Sequence, residues 1–298
     1  MAILLVHGAG YQSDSSLRFL QRQRLSAGLI SGFIAAKKVD ADTALNENLT
    51  SAPFEVRFVE YSQALNERPR AIEPPPAVEH AGRTTWEEQR KLRCLCCPRT
   101  SRVRTNVRTW TGTAGQPLQK VTSAVIRRRL PDVHRYLTRG EGRGEAIRRV
   151  SEALQDSVDV VIAHSLGSIV AIDALARVAD SSSPQLLVTI GSPLRFDAVR
   201  ERLDAATTDW ISRRPVAWIN VHDRGDVVTA GGGLPRRQYP GAINIGVNNG
   251  DHQHAGDYYL RHAIVGALVW GVAAREVSVE DLGSGLPAAF GTMVKYRQ

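Results

Sequence analysis

The sequence predicts an α/β protein: a mostly parallel central sheet with helices on both faces, interrupted by a basic, lid-like insertion. Three observations carry this. Short apolar runs alternate with stretches of helical period, as in strands joined by crossover helices. One apolar run leads through a small-residue turn into an apolar helix, at Val158 to Ala176. Between about residues 66 and 143 the rhythm gives way to prolines, clustered cysteines and arginines.

The expected strands are Ile3 to Val6, Phe54 to Val59, Val158 to Ala163, Leu186 to Ile190, Val216 to Val221 and Ala242 to Val247. Expected helices run over Leu17 to Ala36, Glu145 to Gln155, Leu166 to Ala179, Phe196 to Ala205 and Tyr258 to Ala274. Right-handed crossovers would then cover both sheet faces. The core is assigned to residues 1–65 and 144–298, and the insertion to 66–143. No period of 20 to 50 residues recurs, which sets repeat architectures aside.

With 298 residues and 43% apolar content the chain is long enough for one large domain with an insertion. Ile3 to Val6 is too short for a signal segment and follows no basic residue, and Ala263 to Ala274 is too short to span a bilayer. The expectation is a cytoplasmic protein, peripheral to a membrane at most. Cys94, Cys96 and Cys97 are too close and too few for a disulfide framework and read as reduced thiols.

Charge is uneven. Residues 83–143 hold 15 Arg or Lys against 4 Asp or Glu, net +11, so the remainder of this +8 chain is net −3. Such a block is a solvated face or attracts an anionic membrane surface or an acidic partner; nucleic acid is not expected. Within it Leu118, Val121, Thr122 and Val125 fall at helical spacing before Arg127, Arg128 and Arg129, a basic amphipathic helix able to cap a site.

Chemistry concentrates at Ala163-His164-Ser165-Leu166-Gly167, between the third strand and its helix. This is G-x-S-x-G with alanine in the first glycine position. The sharp turn needs small residues two before and two after the serine, and it presents the hydroxyl of Ser165 beside a helix N-terminus. A nucleophile needs preset amide donors for the developing oxyanion. His7-Gly8-Ala9-Gly10, after the first strand, supplies a glycine loop, so the N–H groups of Ala9 and Leu166 form the expected oxyanion pair, with Gly10 in reserve. His164 is expected to orient the turn.

HGAG after the first strand, AHSLGS at the turn and VTIGSPL from Val188 to Leu194 together resemble the α/β-hydrolase superfamily. Within it, the chain is similar to the intracellular lipase and GPI inositol-deacylase type, over roughly residues 1–62 and 145–275. The resemblance implies a serine, acid, histidine order. Asp226, before Val227 and Val228, looks like the family's acid, with Asp223 as the alternative and otherwise a turn-shaping residue. His254, before a tyrosine-led helix, looks like the base, with His252 as the alternative. The expected activity is cleavage of a carboxylic ester, a lipid or small-molecule acyl compound, without cofactor or metal. Thioester or amide cleavage would use the same residues. Two rival readings are a silent scaffold that binds an acidic partner, and a metal cluster of His222, Asp223, Asp251, His252, His254 and Asp257.

Overall fold

The computed structural model describes residues 2–8, 15–37, 55–66, 130–138, 140–213 and 216–273. Six strands in these residues form one sheet: β1 (Ala2–Val6), β2 (Glu55–Val59), β3 (Val160–His164), β4 (Leu186–Ile190), β5 (Ala217–Asp223) and β6 (Ala242–Val247). Their order is β2-β1-β3-β4-β5-β6, and every neighbouring pair is parallel. The helices are α1 (Ser15–Lys37), α2 (Ser62–Asn66), α3 (Pro131–Thr138), α4 (Gly140–Leu154), α5 (Leu166–Leu175), α6 (Asp197–Arg200), α7 (Ala205–Arg213), α8 (Gly256–Leu260) and α9 (Ala263–Ala273).

The hydrophobic pattern follows position in the sheet. β1, β4 and β5 are buried throughout and β3 nearly so, which is why they read as continuous apolar runs. β2 and β6 lie at the edges and are partly exposed. Alternate residues of each strand enter opposite cores. Leu4, Val6, Val161, Ala163 and Leu187 pack with α4 and α5, whereas Ile3, Leu5, Val160, Ile162 and Val188 pack with Leu29, Phe33, Tyr259 and Val265 of α1, α8 and α9. α1 crosses α9 with Gly32 against Gly266; a Cβ on Gly266 would lie 2.2 Å from the Gly32 carbonyl carbon.

Three helix expectations are corrected. The helix expected over Phe196 to Ala205 is instead a 3-10 turn at Pro193–Arg195, the short α6 and a separate α7. Asp204 starts α7 anew by accepting the Thr207 N–H at 2.9 Å, an N-cap that interrupts the apolar period. The run from Tyr258 to Ala274 divides into α8 and α9, and α5 stops at Leu175. The short α2 was not anticipated.

Residues 130–138 and 140–143, read by sequence as part of the insertion, lie against the core. α3 starts on Pro131, whose missing N–H costs nothing in a first turn, and buries Val133 and Tyr136 in the core. Asp173 of α5, fully buried, accepts from Tyr136 Oη at 2.6 Å, Thr207 Oγ1 at 2.6 Å and Arg143 Nε at 3.0 Å. Arg143, counted by sequence with the basic block, is thus an internal counter-ion. Cys94, Cys96, Cys97 and the stretch from Leu118 to Arg129 lie outside the described residues. No helix among the described residues is long and apolar enough to cross a membrane.

Candidate active site

β3 ends at His164 and α5 begins at Leu166, so Ser165 alone makes the turn. Its φ of 53° and ψ of −124° are strained for a residue with a side chain, and its N–H is fixed to the Ile190 carbonyl at 3.0 Å. Space around the turn explains the small residues. A Cβ on Gly167 would lie 2.3 Å from the His7 carbonyl oxygen and 2.4 Å from that of Val6. A Cβ on Gly8 would lie 2.8 Å from Ser165 Cβ and 2.7 Å from His164 Nδ1. The end of β1 therefore presses directly on the elbow.

Ser165 Oγ is 2.9 Å from His254 Nε2, and His254 Nδ1 is 2.8 Å from Asp226 Oδ2. A neutral imidazole protonated at Nδ1 satisfies both: the hydroxyl donates to Nε2 and Nδ1–H donates to the carboxylate. The side chain of Asp226 is fully buried, and its Oδ1 accepts the Val228 N–H at 2.9 Å, which starts the 3-10 turn Val227–Thr229. Oδ2 also accepts from Tyr259 Oη at 2.8 Å. Of the two candidates in each pair, Asp226 and His254 are therefore the ones brought to Ser165.

Asp223 and His252 are placed otherwise. Asp223 accepts the Gly225 N–H at 2.7 Å, shaping the turn, and also accepts the N–H of Asn249, tying down the loop that carries His254. His252 stacks on Tyr258 with centroids 4.0 Å apart. Asp257 pairs with Arg24 and Arg261. The residues of the metal reading thus face different partners, and no group of three His, Cys, Asp or Glu among the described residues is arranged to hold an ion.

Leu166, one half of the expected oxyanion pair, is the first residue of α5, where amides have no intrahelical acceptor. Its partner Ala9, and the reserve Gly10, lie outside the described residues.

Two glycine and histidine roles were not foreseen in full. Gly191, just after β4, has φ +56°, a strained conformation for a residue with a side chain, and a Cβ there would crowd Asp226 Oδ2 and His254 Nδ1 at 3.2 Å. The glycine of VTIGSPL is thus a spacing requirement of the Asp226–His254 pair. His164 does more than orient the turn. Its Nε2–H donates to the His254 carbonyl at 3.1 Å, and the two rings are 4.9 Å apart, so the turn at Ser165 clamps the loop that carries His254. Only the contact between loops distant in sequence reveals this.

Burial lowers the pKa of His164 from 6.5 to about 3, with the neighbouring His254 adding to the effect. His7, buried against Tyr61 with ring centroids 4.4 Å apart, is lowered by burial to about 4. Between these values and 6.5 the unfolded chain binds protons that the folded chain refuses, so stability is full above pH 6.5 and falls as pH drops. Each ring is expected to cost up to about 1.4 kcal/mol per pH unit in that window. Urea unfolding midpoints at pH 7, 6 and 5 check this; midpoints that stay level would contradict the burial of both rings.

No family model, curated protein or solved structure matches the chain.

Proposed function

We propose that the chain is a serine hydrolase of the α/β-hydrolase type that cleaves a carboxylic ester through an acyl-enzyme on Ser165. The observation that carries this reading is the hydrogen-bonded series Asp226, His254, Ser165, with contacts of 2.8 Å and 2.9 Å, at a strained strand-to-helix turn. A buried carboxylate that orients a histidine toward an activated hydroxyl is the arrangement nucleophilic acyl transfer requires.

In this mechanism Ser165 Oγ attacks the ester carbonyl carbon while its proton passes to His254 Nε2. Asp226 stabilises the imidazolium and holds its ring. The carbonyl oxygen becomes an oxyanion that accepts from the Leu166 N–H and, on this reading, the Ala9 N–H. Collapse breaks the bond to the alkoxy group, which leaves as the alcohol with the proton from Nε2. Water then attacks the acyl-serine, giving its proton to Nε2, and release of the acid returns that proton to Oγ. No cofactor enters the cycle.

The substrate class is a small or lipid acyl ester, and the setting cytoplasmic. The net +11 of residues 83–143, of which the charge of Arg143 is taken up inside the fold, supports contact of this stretch, as a lid, with an anionic membrane surface or an acidic partner. Nitrophenyl esters of rising acyl length, tested beside a thioester and a peptide amide, examine the activity. Ester turnover should exceed the other two. Inertness toward all three would favour the silent scaffold, and preference for the thioester or amide would reassign the leaving group.

A further inference from the structure

Tyr259 of α8 is fully buried beneath the acid. Its hydroxyl lies 3.0 Å from the Asp223 backbone nitrogen and 2.8 Å from Asp226 Oδ2. An amide N–H can only donate, so the hydroxyl oxygen accepts it and the hydroxyl proton is left for Asp226. Oδ2 therefore receives two donors, Tyr259 Oη–H and His254 Nδ1–H, on the same oxygen.

We infer that Tyr259 is a positioning residue that fixes Asp226 Oδ2 in line with His254 and draws off part of its negative charge, so that the carboxylate steadies the imidazolium without capturing its proton. The inference rests on the serine hydrolase reading above. A carboxylate with no access to water depends wholly on its donors, and each one it accepts lowers its basicity. Here Oδ1 has the Val228 N–H and Oδ2 has Tyr259 in addition to the base.

The groups around this pair are few. His254 faces Asp226 at Nδ1, Ser165 at Nε2 and the ring of His164 at 4.9 Å. Tyr259 faces Asp226 and the backbone of Asp223, and otherwise lies in the apolar cluster with Ile190 and Val221. Burial, with the charge of Asp226 next, raises the Tyr259 hydroxyl far above its ordinary range, so it remains a donor at every working pH. Gly191 packs against the Tyr259 ring without a side chain; a Cβ there would sit 3.1 Å from it.

The test is the pH dependence of inactivation by a fluorophosphonate, which needs no knowledge of the natural substrate. In Tyr259→Phe the acid has lost a donor and holds the imidazolium more tightly. The acid limb of the rate should move up by about half a pH unit or more, with inactivation on that limb several-fold slower. Tyr239→Phe removes another buried hydroxyl bond, to the Leu194 carbonyl at 2.6 Å, and should leave the limb in place. Site-specific 3-fluorotyrosine at position 259 keeps ring and hydroxyl but donates more strongly, so the limb should move down; it decides the matter if Tyr259→Phe does not fold. A limb that stays put in a folded Tyr259→Phe, or does not respond to 3-fluorotyrosine, overturns the inference while leaving the serine hydrolase reading standing. Failure of the wild-type chain to react overturns both.

Discussion

Ser165→Ala is expected to lower ester turnover by about 10⁴-fold or more while the chain stays folded. The hydroxyl is bonded to His254 Nε2, and the turn itself is held by the Ser165 N–H on Ile190, which alanine retains. Alanine also has the same Cβ at the same positive φ, so it adds no new backbone strain. Residual activity would come from the oxyanion donors and from substrate binding. Initial rates on the best nitrophenyl ester, with a thermal melt as the control for folding, check this. A folded variant within tenfold of wild type would remove Ser165 from the chemistry.

Changes at the other two members should be nearly as severe. His254→Ala deletes the proton acceptor, and a loss on the order of 10⁴ to 10⁶ in kcat is expected. Asp226→Asn keeps the shape but replaces one oxygen by an NH₂ that cannot accept. Since Oδ1 takes the Val228 N–H and Oδ2 takes both Tyr259 and His254, either orientation of the amide sets donor against donor. Turning the NH₂ toward His254 would force the imidazole proton onto Nε2, where it cannot receive the serine proton, for a loss of about 10⁴. His252→Ala is the comparison. That ring is exposed and stacks on Tyr258 away from the series, so kcat should stay within about threefold. Equal losses in His252→Ala and His254→Ala would break the assignment of the base.

The central strands were legible because burial on both faces leaves an unbroken apolar signature, and the expected limits of β4, as well as those of the edge strand β6, agree with the structure residue for residue. The parallel sheet with helices on both faces followed from the same alternation. Helix ends were less legible. Asp204 acts as an N-cap only through a local hydrogen bond, so the expected helix ran to Ala205 where one in fact begins.

That Arg143 is internal was illegible for a related reason. Arg143 looks like surface charge until Asp173, 30 residues further on, is found buried beside it. At the site, the serine stood out because an elbow imposes small residues at fixed spacing. Asp226 and His254 were separable from Asp223 and His252 only by likeness to a family pattern, since all four lie in polar turns. Gly191 stood in the VTIGSPL pattern and Tyr259 in a tyrosine-led helix, but the role of each was illegible because it lies in contact with a loop that is distant in sequence.

The central claim is that Ser165 is an activated nucleophile. Incubation of the intact chain with a fluorophosphonate, followed by peptide mapping by mass spectrometry, tests it most directly. One phosphonyl group per chain on the peptide containing Ser165, and none in Ser165→Ala, is the expected result. An unmodified wild-type chain, or a label on any other residue, would contradict the account.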